Sequence, residues 1–420
     1  MQVTKRCSSS RLADPKSRRR RPSSDPGQGE EQRSRMPKVP QHSVVWRLPN
    51  QSGLAVKQQT PEQVSDSAIV IKMLSAAVCG TDLAILSGTR PGGAEILGHE
   101  GVGVVLYAPE HSGVSKGERV IINPVHHKHP ESVIGHSRDG VFRGLFWIDA
   151  ADAVEGRLLV SCPKECLLGD VELALAEPLA SVLYSLELLQ EHCGTTSLLI
   201  RGSGTVGILA AKLWTRLTGS CAILVSQSEA HARWLGDSTC WPANVRICCS
   251  ADLTNVIREG SSGPAPKAAI LCCSRESATE GLRLLMDVAP EGATIDLMAG
   301  FPAEHREGRL GDVNLDAIRW NNIRGVSSSP PAAFADRSTG KTIYLVGHRG
   351  TAERHILQAI DLLTRRIISI ADVPHRLLTL EQLPGAVKQM LATETRRTTK
   401  WVKAVVSFPQ EDCGELNGAG

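Results

Sequence analysis

Between residues 197 and 213 an apolar stretch, Leu198-Leu199-Ile200, leads through Gly202-Ser203-Gly204-Thr205-Val206-Gly207 into a segment with helically spaced apolar residues: Val206, Ile208, Leu209, Ala210 and Leu213. A G-x-G-x-x-G on its own is a weak signal. Placed after a strand and before a helix, it reads as a dinucleotide cradle. Gly202 allows the tight turn, Gly204 lets the backbone approach a pyrophosphate, and Gly207 lets the helix pack on its strand. The helix N-terminus at Thr205 and Val206 then presents oriented N–H donors to the phosphate.

The surrounding pattern agrees. From about Glu177 to Ser328, short apolar runs (Ser197–Ile200, Ala222–Val225, Val245–Cys248, Ala268–Cys272, Ala293–Leu297) alternate with helical stretches. That alternation predicts a parallel, doubly wound sheet. From Ser43 to about Leu168 the chain reads instead as short strands bounded by Gly, Pro and Ser, among them 68–73, 101–106 and 118–122. Beyond Ala335 the pattern predicts helices over 356–366 and 381–391 and a closing strand over 400–408. There is no internal repeat.

A second motif lies in the β-rich part. Val78-Cys79-Gly80-Thr81-Asp82 is followed, after a Gly/Pro-rich link, by Gly98-His99-Glu100-Gly101-Val102-Gly103. Thiolate, imidazole and carboxylate are the ligand types of zinc. Alone, Cys79 would read as a buried core cysteine and His99 as a turn histidine. Together with Ala176-Glu177-Pro178-Leu179-Ala180 and the glycine loop, the two segments resemble the zinc-dependent medium-chain alcohol and polyol dehydrogenases. The resemblance runs from about Ser43 to Pro409 and is nearest in look to the sorbitol, threonine and cyclitol branches.

It implies an α/β fold in which a GroES-like, β-rich catalytic domain is split by a Rossmann domain with a doubly wound parallel sheet. The expected boundaries are a basic leader over 1–42, the catalytic domain over 43–176 and 331–410, the Rossmann domain over 177–330, and a flexible tail over 411–420. Cys79 and His99 fall on the family's zinc-ligand positions. Glu100 and Glu177 both match the third, and the sequence does not rank them. Thr81 falls on the hydroxyl that starts the family's proton relay, but the histidine that often follows is here Ala84, leaving Glu100, Glu177, solvent or a substrate hydroxyl to take the proton. The segment Asn123–Glu131, after Gly117-Glu118-Arg119-Val120, has no cysteine where many relatives hold a structural zinc. One catalytic zinc and no structural zinc are therefore expected. His126, His127 and His129 in that segment read as solvent-facing or as lining the substrate cleft.

The acidic residue that selects NAD should stand ~20 residues beyond the glycines. Gln227 stands there, with His231 and Arg233 nearby as cations for a 2′-phosphate. Arg233 is also an ordinary helix residue, so it does not decide the matter. The balance favours NADP over NAD.

Composition limits the remaining choices. A net charge of +3 predicts no nucleic-acid partner, and no apolar run nears the ~20 residues of a membrane span. The 12 cysteines are scattered and include the adjacent pairs Cys248-Cys249 and Cys272-Cys273, which favours a reducing cytoplasm over a disulfide framework. The leader, with Arg18-Arg19-Arg20-Arg21 among Ser, Pro and Gly, has too little apolar surface to order. Asp14, Asp25, Glu30 and Glu31 argue against a transit peptide, and Met36 offers an alternative start. The leader reads as a functionally neutral tail.

The expected activity is interconversion of a secondary alcohol and a ketone on a polyol or cyclitol, within a specialised biosynthetic pathway, by hydride transfer with NADP or NAD. The alternatives are a threonine-type amino-alcohol dehydrogenase and a non-catalytic NAD(P)-binding sensor, the latter prompted by the missing relay histidine. The family implies a homo-oligomer, dimer or tetramer.

Overall fold

Two seven-stranded sheets organise the chain. The computed structural model describes residues 39–409 apart from 49–52, 62–63, 261–264, 303–304, 326–328 and 393–399. The arginine-rich leader up to residue 38 and the tail over 411–420 lie outside the described residues.

The first sheet is largely antiparallel. A two-stranded hairpin precedes it, β1 (His42–Arg47) with β2 (Leu54–Gln59). The sheet is built on β3 (Ala68–Ala77), which pairs with β4 (Glu100–Tyr107) and β6 (Leu145–Asp149). It continues through β5 (Arg119–Ile122) to β7 (Leu159–Ser161). The short helices α1 (Gly80–Leu86), α2 (Ala150–Gly156) and α3 (Asp170–Leu173) lie in its connections. Alternating residues explain the packing: Ile69, Ile71 and Met73 of β3 enter one apolar core with Val120, Ile122, Phe142 and Phe146.

The second sheet contains β8 (Leu198–Arg201), β9 (Ala222–Ser226), β10 (Val245–Cys249), β11 (Ala268–Leu271) and β12 (Ala293–Leu297). The helices around it are α4 (Ala176–Cys193), α5 (Thr205–Thr218), α6 (Glu229–Ser238), α7 (Leu253–Gly260) and α8 (Ala278–Val288). After a small ribbon, β13 (Arg306–Glu307) with β14 (Val313–Asn314), and helix α9 (Leu315–Arg319), the chain returns as β15 (Ala332–Ala335) and β16 (Thr342–Val346).

The strand order is β10-β9-β8-β11-β12-β16-β15, parallel except for the last. Ignoring β15, this is the 3-2-1-4-5-6 order of a doubly wound dinucleotide fold. Leu198 and Ile200 pack into one core while Leu199 packs into another, so the strand is buried on both faces.

β15 and β16 correct the expected boundary at 330, because the nucleotide sheet continues to Val346. The buried apolar residues Ile343, Leu345 and Val346 find their partners on β12, a pairing that local pattern does not disclose. Helix α10 (Glu353–Thr364) then packs on α4. The chain re-enters the first sheet as β17 (His375–Leu378) and β18 (Lys403–Ser407), with α11 (Leu383–Leu391) between them. Helix α4 touches β11 and β12 as well as β4 and β5, and so joins the two sheets.

Candidate metal centre and nucleotide cradle

The register of the first sheet assembles the metal cluster. Ala77 at the end of β3 faces Glu100 at the start of β4, which brings the next residues of one strand beside the preceding residues of the other. Ligand atoms of Cys79, His99 and Glu100 all lie within 4.8 Å of one another. His99 and Glu100 are buried and Cys79 is half-buried.

Asp82 ties the two segments together. Its carboxylate accepts from the Cys79 N–H at 2.9 Å and from the Gly98 N–H at 3.1 Å, and lies 3.6 Å from His99 Nδ1. Burial lowers the pKa of His99, but the Cys79 sulfur and the Asp82 carboxylate outweigh it and hold the imidazole well above its usual value. Thr81 places its hydroxyl 3.7 Å from Cys79 Sγ.

The two acidic candidates are not equivalent. Glu100 belongs to the cluster, and its Oε2 accepts from the buried Lys403 ammonium. Glu177, in the first turn of α4, stands within electrostatic reach of His99, Glu100, Lys403 and Asp82. Burial pushes its carboxyl up to about 7, with His99 opposing and Glu100 adding.

His136 was not legible as a site residue. Its Nε2 stands 3.2 Å from His99 Nδ1, with the rings edge to face at 4.6 Å. Burial, then His99, Arg90 and Arg349, hold it well below its usual pKa. A histidine two residues before Arg138-Asp139-Gly140 was its only sequence trace.

His126 is buried. Its Nδ1 accepts from the backbone N–H groups of Lys128 and His129 at 3.2 and 3.1 Å, and its Nε2 lies 3.3 Å from Asp152. One nitrogen therefore serves the loop and the other faces α2. His129 is exposed beside Glu131.

The glycine loop lies at the switch point between β8 and β11. Gly202 has φ +135°, and a Cβ there would fall 2.6 Å from the Cys272 carbonyl. A Cβ on Gly207 would fall 1.8 Å from the Gly202 oxygen, so α5 packs on the loop only with glycine there. Gly204 caps α5 without a side-chain hydrogen bond, the first turn holds no acid, and no atom lies within 4 Å of a Cβ built on Gly204. Thr205 and Val206, both half-buried, form the first turn.

The second strand differs from expectation in a useful way. β9 ends at Ser226, whose buried hydroxyl accepts from Ser203 of the glycine loop at 3.2 Å. Gln227 is exposed beyond the strand, and Arg233 is exposed and pairs with Glu229 at 3.5 Å on the surface of α6. His231, half-buried, bonds to the Ser203 backbone. The structure thus bonds Ser226 and His231 to the loop, while Gln227 and Arg233 are exposed.

Residues 65–156 match the alcohol dehydrogenase GroES-like domain. Cys79, His99 and Glu100 lie inside the matched segment. An uncharacterized zinc-type alcohol dehydrogenase-like protein of Haemophilus influenzae is 30% identical over 215 residues, covering 46% of this chain and 59% of the relative's own length. The whole fold is that of solved dehydrogenases. Galactitol-1-phosphate dehydrogenase of Escherichia coli superposes with a TM-score of 0.63 at 18% identity, over 87% of this chain and 99% of that one. The 2R,3R-butanediol dehydrogenase of Bacillus subtilis gives 0.63 at 17% identity, over 88% and 99%. Among the described residues, no helix is long and apolar enough to cross a membrane.

Proposed function

We propose that this chain is a zinc-dependent oxidoreductase that interconverts a secondary alcohol and a ketone on a polyol or cyclitol, using NADP or NAD. The observation that carries this reading is the convergence of the Cys79 sulfur, a His99 nitrogen and a Glu100 oxygen within 4.8 Å. A thiolate, an imidazole and a carboxylate suit zinc, and three protein donors are the number found at catalytic zinc sites. When bound, the metal supplies Lewis-acid polarisation of the reacting oxygen, and the nicotinamide accepts or supplies the hydride.

The chain's own residues do the rest. Asp82 orients the imidazole of His99 and fixes the Cys79 turn. Thr81 passes the hydroxyl proton on from the substrate, and Glu177 is the carboxylate able to exchange with Glu100, whose second oxygen is held by Lys403. The open first turn of α5 at Gly204 receives the cofactor diphosphate. Ser226 in place of a carboxylate, with His231 beside it, supports NADP as the preferred cofactor.

The galactitol-1-phosphate and butanediol dehydrogenases among the structural neighbours act on polyhydroxylated compounds, which supports that substrate class here. We read the protein as cytoplasmic, supported by ten free cysteines among the described residues, and as a homo-oligomer. Elemental analysis tests the metal directly. About one zinc per chain is expected, lost in Cys79→Ser, together with nicotinamide-linked oxidation in a polyol and cyclitol panel. Folded, nucleotide-binding protein without zinc would overturn the reading.

A further inference from the structure

The guanidinium of Arg90 feels the charges of three others, Arg319, Arg349 and Arg275, and that of Cys79. The four arginines come from four separate places, namely the turn after α1, the loop after β11, the end of α9 and the loop after β16.

Contacts place Arg90 beside the metal cluster through His136, and Arg349 and Arg319 on neighbouring segments. Arg90 Nη2 stands 3.5 Å from Nδ1 of His136, the residue whose other nitrogen is 3.2 Å from His99. Arg349 Nε donates to the Pro130 carbonyl at 2.9 Å, in the same loop as His136. Its guanidinium lies 4.3 Å from the centre of the Trp320 ring, next in sequence to Arg319. A Cβ on Gly347 would fall 3.1 Å from Arg319 Cγ, so that side chain is packed against the strand that delivers Arg349.

The nearby carboxylates do not balance this charge. Asp316 lies 3.7 Å from Arg319 Nη1 and is also felt by Arg275 and Arg349. Asp296, near Arg319, is buried against Ser185 and pushed up to about 7 by burial. Glu131 and Glu276, beside Arg349 and Arg275, are exposed. The Arg319 side chain is 15% exposed, and its Nε is buried with no hydrogen-bond partner. Gathering like charges in a half-buried place works against folding. Planar, multiply donating cations are instead what recognition of an oxyanion requires.

We propose that the substrate alcohol carries an oxyanion, specifically a phosphate monoester, held by Arg90, Arg319 and Arg349 while its hydroxyl reaches the Cys79–His99–Glu100 cluster. This deepens the dehydrogenase reading and rests on it. The cofactor diphosphate is the competing source of the same chemistry, because the loop of Arg275 follows Cys272, which abuts Gly202.

Calorimetry on the zinc-loaded full chain separates the two sources. With NADP saturating, a hexitol phosphate is expected to bind at least roughly tenfold more tightly than the parent hexitol. Arg90→Met and Arg349→Met should each erase that margin while zinc content and NADP affinity stay at the parent level. If either methionine variant fails to fold, Arg90→Lys, which keeps the charge but loses the fork, should lose part of the margin. Equal binding of hexitol and hexitol phosphate would overturn the proposal, as would inorganic phosphate that binds only without NADP and is displaced by it. Arg90-dependent phosphate binding in a chain that takes up neither zinc nor nicotinamide would uphold the oxyanion site and overturn the dehydrogenase reading instead.

Discussion

Glu100 and Lys403 form an ion pair inside the core, although 303 residues separate them along the chain. Lys403 opens β18, which runs antiparallel to β3 and places the ammonium opposite the Cys79 end of that strand. Both side chains are almost inaccessible, at 2% and 1% exposure, so neither charge has water as an alternative partner.

Removing one member therefore strands the other. Lys403→Met is expected to destabilise the protein by about 3–5 kcal/mol, read from urea denaturation. In the metal-free protein, adding Glu100→Leu should recover most of the loss, because the orphaned carboxylate is what costs. A Lys403→Met protein as stable as the parent would refute the pairing.

The glycine loop separates packing from binding. Gly207→Ala forces a methyl against the Gly202 oxygen and should cost about 2–4 kcal/mol. Gly204→Ala meets no neighbour, so only its poorer N-cap should cost stability, about 1 kcal/mol. Its methyl nevertheless lies where a diphosphate approaches the backbone, and NADPH binding followed by fluorescence should weaken. Parent-like affinity in Gly204→Ala would place the cofactor elsewhere.

Cofactor choice is expected to turn on Ser226. A carboxylate there would stand beside Ser203 and repel a 2′-phosphate while accepting from a ribose hydroxyl. In Ser226→Asp the ratio of NADP to NAD affinity should fall by roughly tenfold or more. Gln227→Asp, at an exposed site, should move it far less. The reverse ranking would restore Gln227 as the discriminating position.

Acid sensitivity is expected at the turn between β15 and β16. Asp336 accepts two bonds from Arg309, at 3.0 and 2.7 Å, and further bonds from Thr339 and the Ser338 N–H. Arg309 first, with those donors assisting, pulls its carboxyl down to about 2. A folded pKa below the unfolded one makes this stabilisation fully present above about pH 4 and lost as pH falls toward 2. The contribution is on the order of 2 kcal/mol, and Asp336→Asn should remove that part of the acid-denaturation slope. An unchanged slope would show that the pair carries no pH-linked stability.

Local pattern carried much of the architecture. Alternating apolar residues in β3, the apolar runs of β8 to β12 and the glycines at 202, 204 and 207 are short-range signals, and each element formed where its pattern stood. Cys79, His99 and Glu100 were legible as one neighbourhood because two short turns hold them at the ends of adjacent strands. Tertiary structure alone decided which strand Thr342–Val346 joins, that Ser226 bonds the glycine loop, and that Lys403, His136 and Arg90 from distant segments gather beside the metal cluster. The physical reason is common to all of these. Periodicity records which face of an element is buried, whereas the partner across a sheet or cleft is set by how distant segments close on one another, and nothing in the local sequence encodes that distance.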